Sequence, residues 1–278
     1  MDAASIESQA MPVPASAAAP VIRNIVPTGP EPVVWRPIEF DPRPAGPVRV
    51  RLAALQLNPG GTFRPASGPC QDVLVFVREG TVLAAGTGVA SPRAPMNLYA
   101  RDAVRFGAEA DGIIRNASEN VARTLVAFVR RNGEPQMESA GPEEGETCLA
   151  PTAEDPRFVL NRVGHESTTQ PLTALGGQLR VRILLDEDGQ GARHGGLSVL
   201  DGDPALAVPQ HRHPDAAELI YIDTGSGTML LGDRRVPVRS GSALYVPPGV
   251  LHDFRGDGSQ PLRAIQIYSP SGPEQRFR

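Results

Sequence analysis

The chain contains no lysine, so all 27 of its basic side chains are arginine. That removes Schiff-base chemistry and any lysine general base. Its two cysteines, Cys70 and Cys148, are too few and too far apart for a thiolate zinc site. They read as unrelated small apolar residues, and pairing them would need an oxidising compartment. No apolar run approaches the roughly 20 residues of a membrane span. The N-terminus also lacks a charged segment followed by a leucine-rich core, so no signal peptide is visible, and the expectation is a cytoplasmic chain without a membrane partner. A net charge of −4 and a pI of about 5.8 leave no basic stripe to neutralise phosphates, which argues against nucleic acid as a partner.

What is abundant is punctuation. Glycine and proline number 29 each in 278 residues, against 40% hydrophobic residues overall. That combination predicts a globular chain of many short elements joined by turns, with no long helices. Residues 1–30 are rich in Ala, Pro and Ser and read as a flexible arm. Short apolar runs then follow one another through residues 31–132, among them Val73-Leu74-Val75-Phe76-Val77 and Thr124-Leu125-Val126-Ala127-Phe128-Val129. Residues 133–156 are acidic and rich in Pro and Gly, as a linker is. The pattern restarts over 157–278, where Gly232-Asp233 sits between two runs as a hairpin turn would. The lone tryptophan, Trp35, is expected to dock on the first barrel.

The two halves also match each other. Residues 219–225 (Leu-Ile-Tyr-Ile-Asp-Thr-Gly) lie over 74–80 (Leu-Val-Phe-Val-Arg-Glu-Gly), and 241–246 lie over 102–107. The expected fold class is all-β, with two tandem barrels.

Three of the five histidines fall between Pro209 and Gly256. Residues two apart on a strand share a face, so His211 and His213 would offer two imidazoles to one point while Arg212 turns away. Pro214-Asp215-Ala216-Ala217 interrupts that strand and lets Glu218 begin the next one facing inward. Pro247-Pro248-Gly249 makes a second tight turn that delivers His252. Three neutral imidazoles and a carboxylate suit Fe(II), Mn(II), Ni(II), Cu(II) or Zn(II). Ile220 and Ile222 share the parity of Glu218 and Phe254 that of His252, so they are expected to line an apolar cavity. Gln266 or Tyr268 on the last strand could present a polar group to a substrate, with packing as the expected role of each. His194 and His165 read as structural or solvated.

With these motifs the sequence resembles the cupin superfamily, and its duplication resembles a bicupin: two double-stranded β-helix, or jelly-roll, barrels. The first family motif, Gly-x5-His-x-His-x(3,4)-Glu-x6-Gly, is met by His211, His213, Glu218 and Gly225, with Ala205 in place of the opening glycine. The second, Gly-x5-Pro-x-Gly-x2-His-x3-Asn, is met by Gly241, Pro247, Gly249 and His252, with Gly256 in place of the asparagine. The same alignment puts Ala66, Gly68, Val73 and Ile113 where the ligands would be in the N-terminal copy, which is therefore expected to bind no metal. The resemblance implies one divalent transition metal, with Fe, Mn or Ni favoured and Zn or Cu as alternatives. It also implies a small-molecule substrate or ligand, with Glu218 as a ligand that can carry a proton, and dioxygenase-type chemistry, with decarboxylase, lyase or isomerase chemistry as the other activities of similar cupins. A non-catalytic binding or storage module is the alternative, and a homodimer is an expectation, because bicupins pair barrels within or between chains.

Overall fold

The computed structural model describes residues 49–64, 71–87, 95–107, 111–131 and 163–278, together with the backbone of 23–24 and 33–38. The 133–156 linker, Cys70, Cys148, Ala66, Gly68, the Trp35 side chain and most of the 1–30 arm lie outside the described residues. No helix among the described residues is long and apolar enough to cross a membrane.

Two barrels are present, each made of a large and a small antiparallel sheet, in agreement with the all-β reading. In the N-terminal barrel the larger sheet runs Gly164–His165, Asp102–Phe106, Gln71–Glu79, Ala122–Arg130, Val50–Leu57, Val33–Ile38. Its small sheet runs Thr62–Phe63, Asp111–Arg115, Thr81–Thr87, Met96–Tyr99. In the C-terminal barrel the larger sheet runs Arg23–Asn24, Ser242–Val246, Ala217–Thr224, Leu262–Ser269, Gly196–Gly202, Leu179–Leu185, Leu172–Ala174. Its small sheet runs Ala207–His211, His252–Gly256, Ser226–Leu231, Arg234–Arg239, and the last two are joined by the expected Gly232-Asp233 turn.

Two exchanges depart from the reading of the sequence. Arg23–Asn24, in the expected arm, pairs with Ser242–Val246 of the C-terminal barrel in the same chain. Gly164–His165, expected in the C-terminal unit, pairs with Ala103 and Asp102 of the N-terminal sheet. There His165 Nδ1 lies 2.8 Å from Asp102 Oδ1, so this histidine is partnered as well as partly solvated. Each barrel thus takes a short strand from the other side of a boundary that composition alone suggests.

The large sheets pack on one another. Alternation on the strand Ala217–Thr224 sends Ile220 and Ile222 into the C-terminal barrel and Leu219 and Tyr221 into the layer between the barrels. The strand Gln71–Glu79 does the same, with Val73, Val75 and Val77 inside and Leu74 and Phe76 between. This explains why both strands are continuously apolar instead of alternating: each is buried on both faces. Polar contacts also join the two halves: Arg78 Nε pairs with Asp223 Oδ1 at 2.8 Å, and Arg49 Nη1 donates to the Asp215 backbone carbonyl at 2.6 Å. Because Phe76 is buried among residues of both barrels, Phe76→Ala should destabilise the fold by about 3–5 kcal/mol in equilibrium denaturation. A change below about 0.5 kcal/mol would mean that the two sheets do not share a core.

Candidate metal centre

The four sequence-predicted ligands meet. One ligand atom from each of His211, His213, Glu218 and His252 lies within 4.8 Å of the others. That spread is close to the roughly 4.2 Å separating opposite ligands that each stand about 2.1 Å from one ion. His211 ends one strand of the small sheet and sits directly across from His252, the first residue of its neighbour. Glu218 is the second residue of Ala217–Thr224 and is 1% exposed. The Pro247-Pro248-Gly249 turn is tied to the first motif, because the Gly249 amide donates to the His213 carbonyl at 2.7 Å. Gly249 holds φ +77, a conformation that favours glycine.

Backbone carbonyls set two of the tautomers. His211 Nδ1 is 2.8 Å from the Pro209 carbonyl, and His252 Nδ1 is 2.9 Å from the Val250 carbonyl. A carbonyl only accepts, so each Nδ1 carries the proton and each Nε2 presents a lone pair. For His252 that lone pair points at Glu218 Oε2, 2.8 Å away, and His213 Nε2 lies 3.3 Å from the same oxygen. Two buried acceptors in contact need a cation between them, either a proton or a metal. Burial pushes the Glu218 carboxyl upward, but hydrogen bonds from His213 and His252 outweigh it and leave the group lowered. Burial pushes His252 down, yet the Glu218 hydrogen bond and charge leave it raised. His211 has no such partner, and burial together with the His252 charge lowers it to about 4. The donor set and its tautomers therefore fit a divalent transition ion.

Gln266 and Tyr268 do more than pack. Gln266 Nε2 donates to Glu218 Oε1, which orients the carboxylate. Tyr268 stands opposite Glu218 across the strand pair and meets the His213 ring edge-on at 5.0 Å between centroids. Burial and the nearby Glu218 charge raise its phenol well above the ordinary value, so it stays protonated. Ile220, Ile222 and Phe254 line the cavity as parity predicts. His194 is buried and stands outside the ligand cluster. One residue that motif spacing does not reveal is Arg276, in the C-terminal turn Pro273–Phe277, whose guanidinium reaches His211, His213 and Tyr268.

The N-terminal barrel shows what the site has lost there. Leu231 pairs with His252, and its counterpart Gly86 pairs with Gly112. Gly112 therefore occupies the place of His252, one residue before the Ile113 that sequence alignment puts there. Val73 replaces Glu218 and is fully buried among apolar residues. Asn116 stands where Gly256 does, and its side chain donates to the Leu57 and Asn120 carbonyls at 2.8 and 2.7 Å. The N-terminal copy thus keeps the motif's asparagine. In the C-terminal copy a Cβ at Gly256 would meet the Pro204 carbonyl oxygen at 2.2 Å, so no side chain fits.

Comparison with known proteins agrees with this geometry. The family described as "Cupin domain" matches residues 202–268, which contain all four candidate ligands. Protein SchB of Streptomyces halstedii is 32% identical over 93 residues, covering 34% of this chain and 67% of that protein. Among solved structures, a glyoxylate-induced protein of Pseudomonas aeruginosa superposes with TM-score 0.63 at 16% identity, covering 86% of this chain and 81% of that one. Oxalate decarboxylase of Bacillus subtilis, described with Mn(II) centres, superposes with TM-score 0.62 at 16% identity, covering 81% and 70%.

Two measurements test the centre. Elemental analysis should find a stoichiometric transition metal in the native protein and none in a His211→Ala/His252→Ala double variant. Metal affinity should also rise with pH between about 5 and 8, because a proton on His252 competes for the same lone pair. In the metal-free protein the raised His252 works in the opposite sense. Its contribution to stability is present below its unfolded pKa and is lost as pH rises through the higher folded value. The increase in Tm on metal addition should therefore grow with pH, and a pH-independent increase would place no proton between His252 and Glu218.

Proposed function

The chain belongs to the cupin superfamily, and from that premise we propose that it is a metal-dependent cupin enzyme acting on a small organic molecule by dioxygenase-type chemistry. The observation that carries the reading is a cavity of about 510 Å³ inside the C-terminal barrel that opens directly onto the four ligands. Such a volume is ordinary for a small-molecule site. A barrel built only for structure would be plugged at that point, whereas here Gln266, Tyr268 and Arg276 converge beside the ligand cluster.

A divalent ion held by His211, His213, Glu218 and His252 supplies Lewis acidity and a template for the substrate, and Fe, Mn or Ni adds redox access to O₂. In this reading Gln266 holds one Glu218 oxygen so that the other faces the centre. Glu218 is the ligand placed to loosen and carry a substrate proton. Tyr268, kept neutral, can give a hydrogen bond to a developing oxyanion. Ile220, Ile222 and Phe254 exclude water from the bound substrate.

The experiment is parallel measurement of O₂ uptake and CO₂ release by protein loaded with Fe(II), Mn(II) or Ni(II), across small acids and phenols. Metal-dependent O₂ uptake that disappears in His252→Ala is the expected result. CO₂ release without O₂ uptake would replace the dioxygenase assignment with a decarboxylase one, as the oxalate decarboxylase neighbours would suggest. Stoichiometric ligand binding with no turnover would leave a binding module. Gln266→Leu should lower kcat by about 10- to 100-fold with metal content unchanged, because it frees the carboxylate that Glu218 presents.

A further inference from the structure

We infer that Arg276 is the substrate-recognition residue of this site, and that the substrate class is a monocarboxylate carrying a hydrophobic body. The inference rests on the metal-dependent reading above and names the substrate of that same site.

Arg276 is aimed inward by its surroundings. The turn Pro273–Phe277 is fixed by Gly272, whose amide donates to Glu274 Oε2 at 2.8 Å, and by Gln275, whose side chain donates to Asp186 Oδ2 at 3.2 Å. Arg278 on the same turn binds Asp186 and Asp188. From this anchored turn the guanidinium carbon of Arg276 lies 4.7 Å from the Phe277 ring centroid. Its Nη1 is 3.2 and 3.1 Å from the two nitrogens of His213, and its Nη2 is 3.4 Å from His211 Nε2 and 3.3 Å from Tyr268 Oη.

Those imidazole lone pairs cannot serve a guanidinium and a metal together. Once the imidazoles bind an ion, the Tyr268 hydroxyl is the acceptor left to Nη2 among these contacts, and a fixed positive charge stands beside a dication. An anionic group between the two satisfies both, because it coordinates the ion with one oxygen and takes the guanidinium fork with the other. A carboxylate has that geometry.

The remainder of the cavity sets the body of the ligand. Ile220 and Ile222 continue the inward face of Glu218, so the apolar wall begins beside the ligands and extends roughly 7 Å along that strand. Leu200, Met229 and Phe254 line the same space. The polar groups gather around the ligand cluster, and a two-carbon diacid would leave the apolar wall facing water or empty space.

The test is calorimetric titration of the metal-loaded full-length protein with 4-phenylbutyrate, benzoate, acetate, oxalate and the neutral 4-phenylbutyramide, repeated on Arg276→Gln and Arg276→Lys. The expected result is that 4-phenylbutyrate binds more tightly than acetate or oxalate. Arg276→Gln should weaken it by about 10- to 100-fold without altering metal stoichiometry or amide binding. Arg276→Lys should recover part of the loss, since a point charge lacks the fork. Unchanged carboxylate affinity in Arg276→Gln, or oxalate binding as tightly as 4-phenylbutyrate, would overturn the inference while leaving the metal-dependent reading intact. Failure of the native protein to hold any metal would overturn both.

Discussion

A carboxylate oxygen of Glu218 and Nε2 of His252 face each other across 2.8 Å in the interior of a β-barrel. Neither can donate to the other while the Val250 carbonyl holds the imidazole proton on the opposite nitrogen. The contact is tolerable only with a positive charge in it. Much of the local architecture keeps this contact in place: Gln266 pins the second carboxylate oxygen, the Gly249 amide ties the two motif turns together, and His211 lies directly across the ladder from His252. The structure stores a demand for a cation, which is what a metal centre is before the metal arrives.

The N-terminal barrel makes the same point by contrast. With Val73 in place of the carboxylate and Gly112 in place of the third histidine, no such demand exists, and the interior closes as a hydrophobic core. This barrel's large sheet packs on that of the C-terminal barrel through Leu74 and Phe76 against Leu219 and Tyr221, and so backs the strand that carries Glu218. A ligand strand buried on both faces has little freedom to shift, which suits a site that must hold donors within tenths of an ångström.

Legibility in the sequence followed the range of each interaction. His211, His213, Glu218 and His252 were readable because their spacing is short, and strand alternation and Pro/Gly turns convert spacing directly into direction. Ile220, Ile222 and Phe254 followed from the same parity. Gln266 and Tyr268 read as packing because the register of the last strand is a long-range property: nothing local says that Tyr268 will stand opposite Glu218. Arg276 left no signal, since a polar C-terminal octapeptide containing Pro and Gly looks the same whether or not it folds back over a site. The exchange of short strands between barrels, Arg23–Asn24 one way and Gly164–His165 the other, was equally silent, because pairing at a sheet edge needs only backbone.

The sequence by itself determined that this is a duplicated all-β chain with one intact His₃Glu donor set, because period-two alternation, turn residues and motif spacing are local consequences of backbone geometry. Only the tertiary structure decided how the Glu218 carboxylate is oriented, which strand faces back the site, and that an arginine near the end of the chain comes to lie beside the ligands. These depend on contacts between residues far apart in sequence, such as Glu218 with Gln266 and His213 with Arg276, whose positions are set by sheet register and packing.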